Sequence, residues 1–426
     1  MILADILEVI YAPHKVFKRI IANPKYLGVF IIALLFVGLQ VGYFFSQFSK
    51  IEFEQTHPSG LIPIFTNATS WMAASNVNLT NNFDDYYNNT VFISLFGRPP
   101  SDPLGYAPLF GNFSLQLDAT DARSLSATLF NTTNVDCGGD GFKDLSIAIK
   151  LVQPQSVPQN ATLTLYSLTD SNYFTYDLTS DLATASAVNQ WGNLVIPVGP
   201  DAKGWSETGN PQWNNITSLS FQFDYTDNQD ITIRIGALFF RGLYLTPIEY
   251  NTVGVLVPFL QLFAARFAVT WLLLTCLIYL ICKGLKSAVL WKPLCVALGF
   301  ALMVMVIRAA VSLVATAAMS VIYCPFDITF GLVIDPLVTL YYPVDAIPSL
   351  LPQSQASVVA MDASLAVFRG IITAMFVASY VWLGVLGTFA VKELKPEFST
   401  IKCCIITGAS VGITLLVLWF IGIVGV

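Results

Sequence analysis

Three arginines fall within or at the edge of apolar, membrane-length stretches of the chain, namely Arg266, Arg308 and Arg369. A cation at that depth is costly unless an anion or water accompanies it. One hypothesis is that nearby aspartates neutralise the arginines around a polar cavity. The aspartates are Asp335, Asp345 and Asp362. The alternative is that the arginines snorkel or form buried ion pairs that fix helix packing.

Seven asparagines stand in N-x-S/T sequons, the acceptor sequence for N-linked glycans. They are Asn67, Asn78, Asn88, Asn112, Asn131, Asn160 and Asn215. All seven lie between residues 50 and 245, and the other loops have none. This clustering predicts glycans on the surface of one segment, although an Asn- and Thr-rich segment also makes some sequons by chance.

The same segment contains two other groups of candidate ligand-binding residues. Trp191, Trp205 and Trp213 are candidates for stacking on sugar rings, or else they pack the core of their domain. Asp136, Asp140 and Asp144 stand among three glycines within nine residues, a composition that suits calcium. The spacing does not match an EF-hand, so a surface turn without an ion is the alternative. No other cofactor is expected.

Signatures of known enzyme classes are missing from the sequence. It has two histidines, His14 and His57, and neither H-E-x-x-H nor a P-loop. A G-x-S-x-G match at 408–412 lies inside an apolar stretch, whereas a nucleophile elbow needs a strand, a turn and a helix. We therefore expect a non-enzymatic protein. Cys137 and Cys324 form a disulfide or stay as two thiols; the sequence leaves both open.

Apolar runs dominate the elements that must carry these residues. The chain has 426 residues, of which 55% are hydrophobic and 11% charged, and its mean hydropathy is +0.64. Soluble domains are typically about 25% charged. Five runs are long enough to cross a bilayer: 26–49, 267–282, 294–322, 365–391 and 403–426. The expected fold class is mixed, with a polytopic α-helical membrane domain of five spans and an inserted all-β sandwich or jelly roll.

Charged residues predict the orientation. Three segments that alternate correctly for five spans together hold ten basic and four acidic residues, and cytoplasmic loops carry the Lys/Arg excess. The N-terminus is therefore expected in the cytoplasm and residues 50–245 outside the cell. The expected location is the plasma membrane, with a lumenal domain in an endomembrane as the alternative. The 18 acidic and seven basic residues between 51 and 245 argue against nucleic acid.

The outer segment divides into two parts. Residues 111–245 contain short runs of alternating apolar and polar residues, which predict a β-sandwich. Residues 50–110 are less regular and are a stalk, a helical hairpin or extra strands. Residues 1–49 form a cytosolic amphipathic segment and the first span, and residues 246–426 hold four further helices with an apolar outer loop at 323–362. Trp213, Ile216 and Leu219 resemble the W-x-x-I-x-x-I/L strand of galactose-binding-like jelly rolls.

The N-terminal segment has the pattern P-x-x-x-F-x-x-I at Pro13, Phe17 and Ile20, followed by Asn23-Pro24 and the first span. In these residues it resembles the Ypt-interacting-protein (Yip) family of five-span membrane proteins. The resemblance covers residues 1–46 and 248–426 and implies a non-enzymatic scaffold with a protein partner at the inner face; eukaryotic members engage small GTPases. The large external insert departs from the compact eukaryotic members.

These features favour a glycosylated membrane scaffold or receptor that recognises a glycan, an envelope component or a protein outside, in contact with membrane lipid. The alternative is a transporter or channel component whose intramembrane arginines line an anion or lipid-headgroup site. The sequence identifies neither the ligand, the oligomeric state nor the physiological process.

Overall fold

Five helices are long and apolar enough, by length and composition, to cross a membrane among the residues that the computed structural model describes, which are 2–58, 64–82, 114–185, 187–324 and 352–421. These spans are Leu27–Phe48, Thr252–Gly284, Trp291–Ala317, Ala366–Leu394 and Thr400–Phe420. They confirm the predicted five-span helical part of the fold.

The helices themselves differ from the predicted spans mainly at their ends. They are α1 (Ile2–Tyr11), α2 (Pro13–Ala22), α3 (Leu27–Phe48), α4 (Thr179–Thr184), α5 (Pro247–Gly284), α6 (Trp291–Ala301), α7 (Met303–Ala317), α8 (Pro352–Leu394) and α9 (Thr400–Phe420). Helix α5 begins twenty residues before the predicted second span, and α8 begins within the predicted outer loop. The third span consists of two helices, α6 and α7, which meet at Leu302.

The early start of α5 has a local cause. The hydroxyl of Thr246 accepts a hydrogen bond from the backbone N–H of Glu249, and the carboxylate of Glu249 accepts one from the N–H of Thr246 at 2.8 Å. This capping box, with Pro247 at the first helical position, satisfies N–H groups that a helix start leaves open. The T-P-I-E sequence was therefore a usable signal for this boundary.

The chain forms two compact units. The helical unit comprises Met1–Glu52, Thr246–Ile322 and Ala360–Val426, and the β unit comprises Phe53–Leu245 and Tyr323–Val359. In the helical unit, α2 buries Val16, Phe17 and Ile20, so the residues of the Yip-like pattern pack inside the unit. Helix α2 contacts α6.

The β unit is an antiparallel β-sandwich, as predicted. Its strands are β1 (Ile51–His57), β2 (Trp71–Ala73), β3 (Val77–Asn82), β4 (Ser114–Val135), β5 (Asp144–Gln153), β6 (Asn160–Ser167), β7 (Thr169–Asp177), β8 (Gly192–Pro197), β9 (Trp205–Thr208), β10 (Ile216–Leu245) and β11 (Ile322–Cys324). The described part of 50–110 contributes β1, β2 and β3, so of the three alternatives for this segment the described part fits extra strands.

Two long strands connect the two layers of the sandwich. Strands β4 and β10 pair with each other along most of their length, with register shifts near residues 224–231. The first half of β10 also pairs with β6, and its second half pairs with β5 and β1. One apolar core lies between the layers and includes Leu125, Leu163 and Phe221 from one, with Ile147 and Ile233 from the other. Alternation of buried and exposed residues fixes which side chains face outward.

Candidate functional site

One outward face of the sandwich displays hydroxyl, amide and aromatic side chains on neighbouring strands. The strands lie in the order β4, β10, β6, β7, β9. We call this surface the polar face and define it by Thr128, Phe130, Ser220, Gln222, Asp224, Asn160, Thr164, Tyr166, Tyr173 and Thr175. None of these side chains is basic. The face is therefore suited to an uncharged ligand rich in hydroxyl groups.

An aromatic row crosses the polar face at one end. Ser218 of β10 pairs with Phe130 of β4 on one side and with Tyr166 of β6 on the other, and Tyr166 pairs with Tyr173 of β7. Phe130 is 43% exposed and both tyrosines are half-buried. The two tyrosine rings lie edge to face, with centroids 5.8 Å apart. Three strand spacings give the row a length of about 14 Å.

Polar groups continue from this row along the strands. The hydroxyls of Tyr166 and Ser220 lie 3.5 Å apart. Further along, the amide of Gln222 donates to both carboxylate oxygens of Asp224, at 3.1 and 3.0 Å, and the amide of Asn160 donates to the same carboxylate at 3.4 Å. Hydroxyl and amide groups both donate to and accept from sugar hydroxyls, and a carboxylate accepts from them.

Two of the three candidate tryptophans lie together, but they pack against the core rather than on the polar face. Trp213 stacks on the buried ring of Phe174 at 3.8 Å, and Trp205 meets Trp213 edge to face at 5.4 Å. The indole N–H of Trp205 donates to the carbonyl of Pro197 at 2.8 Å. Trp191 lies elsewhere, close to Gly236. These contacts give the pair a packing role, and sugar stacking by it stays a prediction.

Truncation of Trp213 therefore tests packing against ligand stacking. We expect Trp213→Ala to lower the free energy of unfolding of the sandwich by about 2–3 kcal/mol, somewhat less than for a fully buried ring. Tyr173→Ala, on the polar face, is the comparison and should cost less. Hydrogen exchange of β6 and β7 amides in the full chain measures both. Equal protection in wild-type and Trp213→Ala protein would contradict the packing role.

Two of the three aspartates proposed to bind calcium, Asp136 and Asp144, interact with other groups of the protein. Asp136 accepts from the N–H of Gly138 at 2.8 Å, and the ammonium of Lys143 donates to the carbonyls of Gly138 and Gly139. Burial raises the pKa of Asp144, an effect that Arg241 opposes. Within the described residues, no group of three or more His, Cys, Asp or Glu is placed to hold a metal. Calcium binding here stays a prediction.

The described sequon asparagines differ in their surroundings. Asn78 on β3 and Asn160 on β6 are exposed. Asn67 is half-buried and caps a short 3-10 turn by accepting from the N–H of Thr69 at 3.1 Å. The side-chain oxygen of Asn215 is buried and makes no hydrogen bond to a described residue. Asn88 and Asn112 lie outside the described residues, and Asn131 is described only as part of β4.

Two of the three intramembrane arginines face one cavity in the helical unit. Arg266 on α5 and Arg308 on α7 are 5% and 7% exposed, and both line this space. The guanidinium of Arg308 also lies over the ring of Phe376, 4.8 Å from its centroid. Arg369 is half-buried on α8 and does not line the cavity. Asp335 and Asp345 lie outside the described residues, as does the side chain of Asp362, so their pairing with the arginines stays a prediction.

Cys137 and Cys324 are both buried free thiols, so the structure has the two-thiol alternative. Burial raises the pKa of each thiol.

Sequence reasoning missed the polar face, because a single strand does not show how it pairs with its neighbours. The signal that sequence reasoning overlooked was the run of polar and aromatic residues at alternate positions of β6, from Asn160 to Tyr166.

Comparisons with known proteins return structures but no sequence relatives. No protein-family model matches the chain, and no curated protein matches it. A family 11 carbohydrate-binding module from Clostridium thermocellum, solved with a mixed-linked tetrasaccharide, is similar at 11% identity, with 45% of this chain and 95% of that chain covered and a TM-score of 0.26. A beta-1,2-glucanase from Parabacteroides distasonis is similar at 13% identity over 41% of this chain and 23% of that chain, with a TM-score of 0.27. TM-scores this low do not support an assignment of fold, so the description of the sandwich rests on the chain's own strand pairings.

Proposed function

We propose that this chain is a non-enzymatic, multi-pass membrane protein that recognises an uncharged glycan through the polar face of its sandwich. The observation that carries the proposal is the aromatic row of Phe130, Tyr166 and Tyr173 on a surface otherwise made of hydroxyl and amide groups and one carboxylate. Aromatic rings offer an apolar surface to the C–H faces of sugars, while the neighbouring polar groups bind sugar hydroxyls.

The geometry of the row favours an extended ligand. Its three aromatic residues come from three strands of one face of the sheet, so an oligosaccharide lying across the strands contacts several of them at once. Ser220 and Gln222 on the central strand stand beside it along the chain direction. An envelope polymer or the glycan of a glycoprotein supplies this chemistry.

The distribution of charge and sequons supports placement of the sandwich outside the cell or in the lumen of an endomembrane, with the N-terminus in the cytoplasm. Ten basic residues in the three proposed inner segments and seven sequons in the outer one agree on this orientation. Asn160 connects the predicted glycosylation with the proposed glycan-binding surface, because a glycan on it would lie at the edge of the polar face.

A Yip-type scaffold is the role we propose for the helical unit. Phe17 and Ile20 of the Yip-like pattern are buried, at 0% and 5% exposure, so the pattern contributes to packing of the inner end. The exposed surface of α1 and α2 is then available to a protein partner at the inner face, and lipid contacts the outside of the bundle.

Loss of either tyrosine should weaken glycan binding. In the full chain in detergent, probed on an array of neutral oligosaccharides, we expect Tyr166→Ala and Tyr173→Ala each to lower affinity roughly 3- to 10-fold, because each removes one stacking surface. Enzymatically deglycosylated protein should be measured in parallel, since a glycan on Asn160 competes for the same surface.

Tyr244→Ala is the matched control for this experiment. Tyr244 belongs to a similar edge-to-face pair with Tyr323, at 5.5 Å, away from the polar face. We expect this variant to bind like wild type. Absence of binding to every oligosaccharide, or an equal loss in Tyr244→Ala, would refute glycan recognition by the polar face.

A further inference from the structure

The connection between α5 and α6 places lysines beside large apolar side chains at the surface of the helical unit. Residues 283–292, which we call the basic connection, contain three lysines and no acidic residue. Its exposed residues are Lys283, Leu285, Lys286, Leu290, Trp291 and Lys292. Leu290 is 73% exposed and Trp291 is 38% exposed. Tryptophan and lysine together are typical of the interface between a bilayer and water, because each side chain has an apolar and a polar part.

Lys286 occupies a backbone conformation that favours glycine, with a φ of 58°. Its N–H donates to the carbonyl of Lys283 at 2.9 Å, and the N–H of Ser287 donates to the carbonyl of Cys282 at 3.1 Å. These two hydrogen bonds form the Schellman motif that ends α5, and glycine is the usual residue at the left-handed position of this motif. A Cβ strains that conformation. The end of the helix therefore gives no local reason for a lysine here.

Lys292 also stands where the local structure does not favour it. It is the second residue of α6, and a cation is unfavourable near a helix N-terminus because the open N–H groups there carry partial positive charge. Neither Lys286 nor Lys292 forms an ion pair with a residue that the structure describes. Residues that break a local rule in this way indicate a use outside the local structure.

Helix α2 contacts α6 and carries two further exposed lysines, Lys15 and Lys18. The acidic residues of α1 do not neutralise these lysines, because Asp5 and Glu8 both bind the guanidinium of Arg19. The contact between α2 and α6 therefore adds positive charge to that of the basic connection.

We propose that the basic connection, with Lys15 and Lys18, binds the headgroups of anionic phospholipids in the leaflet that the N-terminus faces. The lysines attract the headgroups, while Leu290 and Trp291 contact the adjoining acyl chains. A soluble anion would satisfy the lysines but not the leucine and tryptophan between them, whereas a lipid offers both kinds of surface. The inference rests on the membrane placement proposed above and is independent of glycan recognition by the polar face. It leaves the exposed surface of α1 to the protein partner.

The test measures lipid retention by the full chain in native mass spectrometry, after incubation in detergent with equal amounts of phosphatidylserine and phosphatidylcholine. Wild-type protein should retain phosphatidylserine preferentially, and added NaCl should weaken this preference because salt screens the lysines. Lys286→Gly and Lys292→Gln should each lower the affinity for phosphatidylserine about 5-fold, which corresponds to about 1 kcal/mol for each lysine near an anionic surface. The double variant should lose roughly 25-fold.

Lys286→Gly separates lipid binding from folding. Glycine relieves the strain of the left-handed conformation, so this variant should be at least as thermally stable as wild type while it loses lipid preference. Lys286→Arg keeps the charge and should retain phosphatidylserine. Asn189→Gly is the matched control, because it replaces another non-glycine residue with a positive φ, 54°, without removing a charge, and it should behave like wild type.

Insertion into nanodiscs of phosphatidylcholine checks the membrane placement separately. A wild-type protein that inserts but shows no preference for phosphatidylserine would overturn the lipid proposal alone, as would unchanged retention in the double variant Lys286→Gly/Lys292→Gln. The lysines would then serve orientation in the membrane or the protein partner. A wild-type protein that does not insert would overturn the membrane placement as well, whereas glycan binding by the polar face is measured independently of both.

Discussion

Replacement of Glu54 by alanine is expected to lower the free energy of unfolding of the sandwich by up to about 3–5 kcal/mol, because it removes the carboxylate that pairs with the largely buried guanidinium of Arg241, which is 16% exposed. Glu54 on β1 is 2% exposed at its side chain and binds Arg241 of β10 through two parallel contacts of 2.8 and 2.9 Å. The same carboxylate accepts from the N–H of Gly242 at 2.9 Å.

The expected result has a structural readout. Glu54 holds β1 to the last part of β10, so hydrogen exchange of β10 and β5 amides in the full chain should become faster in Glu54→Ala. Glu54→Gln retains an acceptor for Arg241, so its exchange rates should lie between those of wild-type protein and Glu54→Ala. Glu207→Ala, which removes an exposed carboxylate from β9, is the matched control and should behave like wild type. Unchanged exchange in Glu54→Ala would show that the pair contributes little.

Substitution of Gly28 is expected to disrupt the packing of α3 on α6. A Cβ at Gly28 would lie 2.1 Å from the ring of Phe300, and a Cβ at Gly299 would lie 2.5 Å from Val29. Each glycine thus receives a side chain from the other helix. Gly28→Ala should cost about 1–3 kcal/mol, the typical penalty for overpacking a dense core.

A second substitution and a control make this prediction specific. Phe300→Ala removes the atoms that the new methyl group meets, so the double variant Gly28→Ala/Phe300→Ala should lose less than the sum of the single variants. Gly38→Ala is the control, since nothing lies within 4 Å of a Cβ there. The thermal stability of all four variants is measured in detergent, with size-exclusion chromatography as the readout of folded protein. A Gly38→Ala protein as unstable as Gly28→Ala would contradict the interpretation.

Two G-x-x-x-G patterns in the sequence, at 38–42 and 408–412, predict close helix contacts within the chain or between two copies of it, with contacts within the chain favoured. A Cβ at Gly38, Gly408 or Gly412 would meet no atom of a described residue within 4 Å, and one at Gly42 would make only ordinary contact with Leu313. The close approaches occur instead at Gly28, Gly299 and Gly387. Spacing along one helix identifies small residues, but only the position of the facing helix decides which of them are in contact.

Local sequence patterns predict most of the fold. The apolar run from Leu27 to Phe48 and the alternation along β5 and β6 are properties of single segments, so the sequence predicts them directly. Helix boundaries were harder to predict from the sequence, because α5 starts at a polar capping box that precedes its apolar part. The fusion of strands into β10 also escaped prediction, since its polar stretch at residues 226–230 reads as a loop.

The candidate sites depended on contacts between segments distant in the chain. The sequence by itself determined that arginines stand in apolar spans, that sequons cluster in one segment, and that this segment is rich in strands. Only the tertiary structure decided that Arg266 and Arg308 share a cavity while Arg369 does not. It also decided that Tyr166 and Tyr173 face outward while Trp205 and Trp213 pack on the core, because strand register and helix rotation are set by burial of the whole apolar surface.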